Sequence, residues 1–386
     1  MEANKRMEID WLAEDYTETL AHSTKLELSG HKTASPQHAH STRDIELASD
    51  VGKSIGFPKD RLVIAGESLA YQTFKGAGHD ASITESLTKR MEAKKIEGRI
   101  NLIYPRIPKS YNIGEKVVPV NLVDDLQASS LVGVQLEADA SAVLPPLPSG
   151  IHNKKVFDLV MERTNVELQT FKKKKEVVGY IPTTDDLTLV AQMIRDYIKQ
   201  DIRFFAVDFS SSPLNRWLIR TAVSQIRKQL KIKGKVGEKK DKYYYLHVFN
   251  VASNRKSSQA IAPITDLLTH AYGVDSTSGV IWGGGKLVKD KLRYYNIDDY
   301  GAYRLDSLTK NRISCPETLI EGNAVEVYKK LRVKRLTDYA KECKTVTERI
   351  PESGNGSSYA SYLNSKGQAK AETKRILMDI KEIKAV

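Results

Sequence analysis

The chain has 386 residues, 40% of them hydrophobic, so it can bury a large core, and a disordered or fibrous protein is excluded. Lysine and arginine outnumber aspartate and glutamate by 60 to 48, and the formal net charge of +12 favours polyanionic partners such as nucleic acid or an acidic membrane. The two cysteines, Cys315 and Cys343, form no Cys-x-x-Cys pair, which argues against a disulfide scaffold and a cysteine zinc site.

Residues 1–58 are polar and predict an N-terminal extension. Within it we predict a helix over Trp11–Leu20 and then a Ser-, Thr- and His-rich loop over His31–Ser41. The three histidines of this loop have neither a cysteine nor a helical i, i+4 spacing beside them, so we predict a solvated loop and no metal site.

The first ten residues lack the apolar core of a signal peptide, and no window of the sequence approaches the roughly 20 apolar residues of a membrane span. Because the chain has only two cysteines, a reducing, intracellular environment is the default expectation. We therefore expect a soluble, cytoplasmic protein with no membrane partner.

From Arg61 onwards, short β-branched runs alternate with helical patterns. The candidate strands are Leu62–Ala65, Ile100–Tyr104, Val117–Leu122, Val132–Leu136, Val177–Ile181, Phe204–Phe209, Tyr243–Val251 and Val274–Ile281. Strands that alternate with helices favour an α/β fold whose parallel sheet is built from βα repeats. The simplest closed arrangement is a (β/α)8, TIM-like barrel, which we assign to residues 59–310, followed by a C-terminal helical region over 311–386.

Apolar stripes at helical spacing predict the helices of the second half. The predicted helices are Leu187–Ile198, Leu214–Leu230, Pro263–Ala271, Val325–Leu336 and Lys374–Ile383. The third helix begins at a proline and stops at Gly273, an asymmetry typical of helix ends. It therefore delivers Asp275 directly after a tight turn into the next strand.

Polar groups lie near the ends of consecutive predicted strands. They are Tyr180, Asp208, Asn250 and Asp275, and the strand Val132–Leu136 runs on towards Asp139. In a barrel, successive βα loops line one rim, so we expect these groups to converge on one mouth. Two carboxylates in a partly desolvated cleft can divide labour, one nucleophilic and one that moves protons, as glycosyl transfer requires.

Three further features have both a functional and a structural interpretation. His247, inside an apolar strand, is either a satisfied core residue or a support for groups that contact a substrate. The run Gly283–Gly285 lets a phosphate or base approach the backbone, or forms a flexible turn, and it matches no Walker loop or dinucleotide fingerprint. Basic clusters form either a rim that neutralises phosphates or solvated faces; they are Lys172–Lys175, the six lysines between Lys231 and Lys242, and Arg332, Lys334 and Arg335.

The segment Leu-His-Val-Phe-Asn at 246–250, followed by a helix and by Ala-Tyr-Gly-Val-Asp-Ser-Thr-Ser at 271–278, resembles the late barrel strands of tRNA-guanine transglycosylases. It is most similar to the divergent, phage-type and DNA-directed deazaguanine transglycosylases, and the resemblance covers roughly residues 176–285. The family's Asp-Ser-Gly-Gly-Phe type motif, the Gly-Gly pair near its base pocket and the Cys-x-Cys zinc site of its tRNA enzymes have no match in this sequence.

The resemblance implies a TIM-barrel enzyme that replaces a guanine of DNA or tRNA with a 7-deazaguanine through a covalent nucleotide–enzyme intermediate. Asp275 would be the nucleophile that attacks C1′, and Asp139 or Asp208 would handle the proton or the base edge. We expect the substrate to be contacted by Asp208, Tyr180, Asn250, His247 and Ser276. The expected partners are the nucleic acid and the 7-deazaguanine base, with no cofactor and no metal.

Two other functions fit the same sequence features. One is a non-catalytic, nucleic-acid-binding accessory protein that retains a transglycosylase-like barrel. The other is an unrelated TIM-barrel hydrolase or lyase that acts on a small phosphorylated metabolite. The positions of Asp275, Asp139 and Asp208 discriminate among these hypotheses, because base exchange predicts that Asp275 and one of the other two lie across a single pocket.

Overall fold

A computed structural model of the chain describes residues 7–15, 18–51, 61–120, 123–171, 175–210, 215–234, 239–252, 259–279, 287–350 and 359–385. The strands are β1 (Met7–Glu14), β2 (His22–Leu28), β3 (His31–Ala34), β4 (Gln37–His38), β5 (His40–Ser41), β6 (Val63–Ser68), β7 (Asn101–Arg106), β8 (Ser110–Ile113), β9 (Lys116–Pro119), β10 (Ala142–Val143), β11 (Glu176–Val177), β12 (Gly179–Ile181), β13 (Phe204–Asp208), β14 (Tyr245–Val251), β15 (Ile261–Pro263), β16 (Ser276–Gly279), β17 (Arg293–Asn296) and β18 (Gly301–Arg304). The α-helices are α1 (Thr42–Val51), α2 (Tyr71–Gly76), α3 (Ala81–Glu92), α4 (Asp125–Glu137), α5 (Lys154–Thr170), α6 (Leu187–Lys199), α7 (Arg216–Gln229), α8 (Glu317–Ile320), α9 (Ala324–Arg349), α10 (Tyr359–Ser365) and α11 (Lys370–Ala385). Short 3-10 helices span Lys240–Lys242, Leu267–Tyr272, Lys289–Lys291, Leu305–Ser307 and Gly367–Ala369.

Parallel strands form the centre of the fold. One sheet has the order β12-β13-β14-β16-β4, a second has the order β5-β6-β7, and β10 pairs with β11. Helices separate most of the successive strands, so the predicted α/β fold with parallel strands is confirmed. The closed, eight-stranded barrel stays a prediction.

Backbone hydrogen bonds also join strands that belong to different sheets. Ala39, between β4 and β5, donates its N–H to the carbonyl of Thr277 on β16 at 2.6 Å, and His40 donates to Leu62 at 2.9 Å. Residues 37–41 therefore contact a late strand on one side and an early strand on the other. The parallel sheets thus include residues that lie before the predicted domain boundary at 58.

The sheet of β10 and β11 also adjoins both larger sheets. Ser141 donates its N–H to the carbonyl of Asn101 at 2.8 Å, which connects β7 to the start of β10. Val178 donates to Val143 of β10 at 2.9 Å, which extends the pairing of β10 with β11, and the chain then continues directly into β12. The sheet of β10 and β11 is thus hydrogen-bonded to β7 on one side and continuous in chain with β12 on the other.

The first three strands form an antiparallel meander rather than the predicted helix over Trp11–Leu20. Met7, Ile9, Trp11 and Ala13 pack against the core, and this spacing of two residues is that of a strand. Trp11 also stacks on His22, with ring centroids 3.9 Å apart, and donates its Nε1–H to the carbonyl of Tyr244. The helix prediction is wrong because the side chains that face the core alternate along the chain, as they do in a strand and not in a helix.

The predicted solvated loop over His31–Ser41 is also wrong. His38 and His40 are 2% and 1% exposed, since the segment forms β3, β4 and β5. His38 packs its ring edge-on against Tyr339 of α9, with centroids 4.8 Å apart, and its Nδ1 lies 3.3 Å from the hydroxyl of Thr277. These histidines belong to the interface between a parallel sheet and a helix.

Two elements of the predicted sheet have a different structure. Val132–Leu136 lies inside α4, whose capping box joins Asp124 and Gln127. Residues 131–136 are all buried, so this stretch of the helix shows no helical period of apolar and polar residues. Val117–Leu122 begins within β9 of the antiparallel β8–β9 hairpin, while its last two residues lie outside the described residues. Within the described residues, neither segment contributes to the parallel sheets.

The helices α6 and α7 are confirmed where the apolar stripes predict them. Asp186 caps α6 by accepting the N–H of Leu189 at 2.9 Å, and Asn215 caps α7 by accepting that of Leu218 at 3.2 Å. Leu214, part of the second predicted stripe, lies outside the described residues. Both helices bury their apolar face in the main core. The prediction is wrong for Trp217, a member of the second stripe, which is 64% exposed.

The predicted helix that begins at Pro263 is wrong, since Pro263 ends β15 and pairs with Gly301 of β18. The helical part is the 3-10 turn Leu267–Tyr272, capped by Asp266. Its predicted stop at Gly273 is confirmed, with φ +81°. A Cβ there would lie 2.7 Å from the carbonyl oxygen of Leu20, so both the backbone conformation and the close approach require glycine.

The C-terminal helices are longer than predicted, and α9 packs on α1 and β4. The predicted linker 351–358 lies outside the described residues. Cys315 and Cys343 are both free. Among the helices in the described ranges, none combines the length and the apolar character needed to cross a membrane.

Candidate functional site

Asp208 is the last residue of β13 and is completely buried. Its Oδ1 accepts hydrogen bonds from the Asn250 amide at 2.8 Å and from the backbone N–H of Ser210 at 2.7 Å. Its Oδ2 accepts the hydroxyl of Tyr180 at 3.2 Å. The structure thus brings together three of the groups that the sequence predicts at strand ends: Asp208, Tyr180 and Asn250.

Arg106, the last residue of β7, supplies a positive charge to this cluster. Its Nε lies 3.5 Å from Oδ2 of Asp208, and its Nη2 donates to the hydroxyl of Ser210 at 2.9 Å. Burial raises the pKa of Asp208, although Arg106 and the hydrogen bonds from Asn250, Ser210 and Tyr180 lower it. Asp208 is therefore a buried carboxyl group with a guanidinium and three hydrogen-bond donors beside it.

Aromatic rings enclose the carboxylate cluster. Phe249 lies 5.1 Å from Tyr104 in an edge-on arrangement and 5.8 Å from Tyr180 in a stacked one, measured between ring centroids. Burial, together with the nearby Asp208 charge, raises the pKa of Tyr104 and of Tyr180 well above the usual value, so both phenols remain protonated. The cluster therefore combines a carboxylate, a guanidinium and flat apolar surfaces.

Asn250 reaches Asp208 because the backbone of β14 is irregular. Its φ is +57°, and the register with β16 shifts between Val248 and Val251. The left-handed region is rare for residues other than glycine, and asparagine is among those that tolerate it best. Such local strain is common where a side chain is aimed at a functional group.

His247 and Ser276 lie one layer below this cluster and contact each other, with Nδ1 of His247 2.8 Å from the hydroxyl of Ser276. Burial lowers the pKa of His247 to about 3, so the ring is neutral near pH 7. Its Nε2 has no hydrogen-bond partner among the described residues. The ring also stacks on Phe249, with centroids 5.6 Å apart, which links it to the aromatic enclosure.

Ser278 has a fully buried hydroxyl that has no partner within the described part of the chain. Side chains two residues apart on a strand share a face, so Ser278 lies on the same face as Ser276 and near the carboxyl end of β16. A buried polar atom left without a hydrogen bond costs roughly 1–3 kcal/mol. Such an atom at the same edge as Asp208 is what a polar ligand would satisfy.

Asp275 does not lie at the same end of the sheet as Asp208, so the prediction that the two converge on one mouth is wrong. It precedes β16, and its N–H donates to the carbonyl of Leu246, whereas Asp208 is level with Phe249. Three residues of β14 separate the two levels, or about 10 Å along the strand. Asp275 and Asp208 are therefore on different layers of the sheet and do not face each other across one pocket.

The carboxylate of Asp275 is instead saturated by the N-terminal meander. Its Oδ1 accepts the hydroxyls of Thr24 at 2.6 Å and Ser35 at 2.8 Å and lies 3.2 Å from Nε2 of His22, while its Oδ2 accepts the N–H of Leu246 at 2.8 Å. The side chain is completely buried. This arrangement is that of a structural anchor between the meander and β14.

Asp139 also lies away from Asp208. It follows the C-terminal end of α4 in a left-handed conformation, φ +52°, and its side chain is 50% exposed. Partial burial acts to raise the pKa of Asp139, but hydrogen bonds from Lys175 and Lys95, both at 2.8 Å, lower it to about 2. The predicted pairing of Asp139 with another carboxylate in one pocket is therefore wrong.

The predicted basic rim is only partly within the described residues. The described lysines between Lys231 and Lys242 follow α7 and precede β14, at the amino end of that strand and away from Asp208. Arg332 binds Asp44, Lys334 binds Asp338, and Arg335 packs against two tyrosine rings. The remaining predicted positions, Lys172–Lys174 and Lys235, lie outside the described residues, as does the Gly283–Gly285 run.

Arg106, Tyr104 and Ser278 are site residues that the sequence predictions missed. Tyr104 ends the predicted strand Ile100–Tyr104, and Arg106 lies two residues beyond that prediction, at the end of the observed β7. The Tyr-Pro-Arg run at 104–106 is the available signal. In the described part of the chain, no group of three or more His, Cys, Asp and Glu side chains is arranged to hold a metal ion. A scan against protein-family models and a search of curated proteins find no match to this sequence.

Proposed function

We propose that the parallel strands close into a (β/α)8 barrel with Asp208 at its mouth. The support is that the three parallel sheets are linked by backbone hydrogen bonds of Ala39, His40 and Ser141, and by the chain at 176–181, which pairs first with β10 and then with β13. Taken in order, these links allow the strands around residues 37–41, 63–68, 101–106, 142–143, 176–181, 204–208, 245–251 and 276–279 to form one ring. Functional groups of such barrels lie at the carboxyl ends of the strands, as Asp208 and Arg106 do.

We further propose that this mouth binds a guanine-type base and that the protein exchanges guanine for a 7-deazaguanine in DNA or tRNA. One observation carries this proposal: a buried carboxylate, Asp208, lies 3.5 Å from a guanidinium, Arg106, inside an aromatic enclosure. The Watson–Crick edge of guanine offers two N–H donors beside an oxygen acceptor, which matches a carboxylate beside a guanidinium. A 7-deazaguanine has the same edge, so one site can accept both bases.

In the proposed exchange, the C1′–N9 bond of the target guanosine breaks and a C1′–N9 bond to the incoming base forms. The proton on N9 of the incoming base is lost, and the departing guanine gains one. Oδ2 of Asp208 would accept N1–H of the base in place of the Tyr180 hydroxyl, and Arg106 would donate to O6. A target base in a duplex must first leave the stack, at a cost of a few kcal/mol, and the rings of Tyr104 and Phe249 offer stacking surfaces.

A non-catalytic accessory protein is the second candidate, and a specific observation favours it. Neither of the carboxylates that the sequence predicts as catalytic partners, Asp275 and Asp139, lies beside Asp208. A barrel of this kind could hold a base without breaking its glycosidic bond. Base binding and base exchange are therefore measured separately.

The first experiment measures binding of free guanine, 7-deazaguanine and adenine by titration calorimetry. Asp208→Asn should weaken guanine and 7-deazaguanine binding by roughly 10- to 100-fold, because one acceptor becomes a donor opposite an N–H of the base. Asp139→Asn is the matched control and should bind like the wild type. Equal guanine affinity in wild type and Asp208→Asn, with both proteins folded, would refute the proposed site.

The second experiment measures incorporation of labelled guanine or 7-deazaguanine into tRNA and DNA. Incorporation by the wild type and its loss in Asp208→Asn would support base exchange. Base binding without incorporation into either polymer would support the accessory protein instead. A protein that binds neither base but turns over a small phosphorylated metabolite would overturn both candidates.

A further inference from the structure

Three lysines form a stripe along α11. Lys370, Lys374 and Lys381 are spaced by four and seven residues, which places them on one face of the helix, and all three side chains are exposed. Within the described residues, none of them forms an ion pair with an acidic side chain. Their charges are therefore available to a partner.

These lysines line a groove between α10 and α11 with a volume of about 590 Å³. The amide side chains of Asn364 and Gln368 and the apolar side chains of Leu377 and Met378 complete most of its wall, and its described lining contains no acidic residue. We call this surface the lysine groove. It combines unopposed positive charge with amide donors and an apolar floor.

An exposed tryptophan adjoins the lysine groove. Trp217 at the start of α7 is 64% exposed, and Met378, which borders both the groove and the Trp217 surface, is 57% exposed. The guanidinium of Arg220 lies 4.6 Å from the Trp217 ring centroid, which fixes one side of the indole. A large aromatic ring held in solvent beside a methionine is typical of a contact surface.

The charges around Trp217 are balanced, unlike those in the groove. Arg216 binds Asp379 at 2.6 Å, and Arg220 binds Glu382 at 2.5 Å. The two arginines are thus neutralised by their own neighbours, and the net positive charge of this surface comes from the three groove lysines. An anionic partner would be drawn to the groove and would reach the indole at its side.

We propose that the lysine groove and Trp217 bind a single-stranded segment of a polynucleotide. The lysines would neutralise successive phosphates, and a base would stack on the indole, the combination that proteins use for single strands. The choice of a polynucleotide rests on the proposed function, whose substrate is one. The two proposals fail separately, because the Asp208 site is tested with free bases and the groove with oligonucleotides.

The test is fluorescence anisotropy of a labelled 12-nucleotide single strand, as DNA and as RNA, between 50 and 200 mM salt. Neutralising phosphates releases about 0.7 counterions per contact on a single strand, so three lysines give a slope of about −2 in log affinity against log salt. Lys374→Ala/Lys381→Ala should reduce that slope by about 1.4. The matched control is Lys341→Ala/Lys344→Ala, two exposed lysines of α9 on another helix, and it should leave the slope unchanged.

Trp217 is tested in the same assay. Trp217→Ala should weaken binding by roughly 5- to 100-fold, the range expected when one stacked base loses its aromatic partner, with little change in the salt slope. Trp217→Phe should recover part of the loss, because a smaller ring still stacks. Equal losses in the groove pair and the α9 pair, or no loss at Trp217→Ala, would overturn the proposal.

A membrane surface is the rival partner for a lysine-rich groove beside an exposed indole. Vesicles of phosphatidylcholine with and without phosphatidylserine test it by co-sedimentation. Binding to the anionic vesicles that is lost in Lys374→Ala/Lys381→Ala, with oligonucleotide binding unaffected, would replace the proposal with a lipid surface. Oligonucleotide binding that depends on the groove, without vesicle binding, supports it.

Discussion

Replacing Asp275 tests whether its carboxylate stabilises the fold or takes part in catalysis. In Asp275→Ala, the hydroxyls of Thr24 and Ser35 and the N–H of Leu246 lose their acceptor in a fully buried site. Hydrogen bonds to a charged group contribute about 1.5–3 kcal/mol each. Thr24 and Ser35 lie 2.7 Å apart and can still bond each other, so we expect a net loss of about 3–5 kcal/mol in the free energy of unfolding.

Asp275→Asn gives a graded version of the same perturbation. The retained oxygen can still accept from Thr24 and Ser35, while the new NH₂ faces the N–H of Leu246, so we expect a loss of about 1–3 kcal/mol. Asp139→Asn is the control, since its two lysine partners lie at an exposed site where each pair contributes about 0–1 kcal/mol, and asparagine tolerates the left-handed backbone.

The assay is urea unfolding followed by circular dichroism and tryptophan fluorescence, with base exchange measured on the folded fraction. Because small proteins are stable by only about 5–15 kcal/mol, the expected loss in Asp275→Ala is a large fraction of the total. An Asp275→Ala protein that unfolds at the wild-type urea concentration yet loses base exchange would refute the structural role. That result would support Asp275 as the catalytic nucleophile, as the sequence predicts.

Three further predictions concern pH, backbone conformation and the Asp208 charge. Burial lowers the pKa of His247 to about 3 and that of His270 to about 4, so below pH 6.5 the unfolded chain binds protons at these histidines while the folded chain does not. For each histidine, the free energy of unfolding should therefore fall by up to about 1.4 kcal/mol per pH unit as the pH drops from 6.5 towards 4. His247→Asn should remove one of these two contributions, which urea unfolding at a series of pH values measures. Gly273→Ala should lower the free energy of unfolding by about 1–2 kcal/mol because alanine disfavours the left-handed backbone. The close contact between the new Cβ and the Leu20 carbonyl oxygen should lower it further. An unchanged midpoint of thermal unfolding would contradict this close approach. Arg106→Met should raise the pKa of Asp208 further, since the positive charge of Arg106 lowers it. Isotope-edited infrared spectra report the protonation of this carboxyl group, and its titration should shift to higher pH in the variant. An unchanged titration would mean that the Arg106 guanidinium, 3.5 Å away, does not affect the pKa of Asp208.

The sequence predicts most of the parallel strands, because their apolar runs are flanked by helices with clear caps, but it misses β4, β5 and β10. The strands that contain Phe204–Asp208 and Tyr245–Val251 lie where expected, and with them Asp208 and Asn250. The helix α4 was missed because it is apolar around most of its circumference, so a short run of it reads as a strand. The Asp124 and Gln127 capping box was the signal that distinguished the two.

The predicted strand Val274–Ile281 already places Asp275 at its amino end, and the observed strand start at Ser276 places it just before the strand. The structural role of Asp275 could not be predicted from local sequence, because it depends on partners far away in the chain. Its partners Thr24 and Ser35 lie about 250 positions earlier in the chain, in a segment whose sequence predicts an appendage. Nothing in the spacing of nearby residues indicates contacts of that separation.

The anchor at Asp275 also has a consequence for how the protein is made. Thr24 and Ser35 leave the ribosome long before their acceptor, which follows them by 251 and 240 residues. Until Asp275 has been synthesised, their hydroxyls lack the carboxylate that binds them in the native fold. The N-terminal meander therefore cannot reach its final arrangement during most of translation, and this protein should complete its fold late, with its first strands among the last to settle.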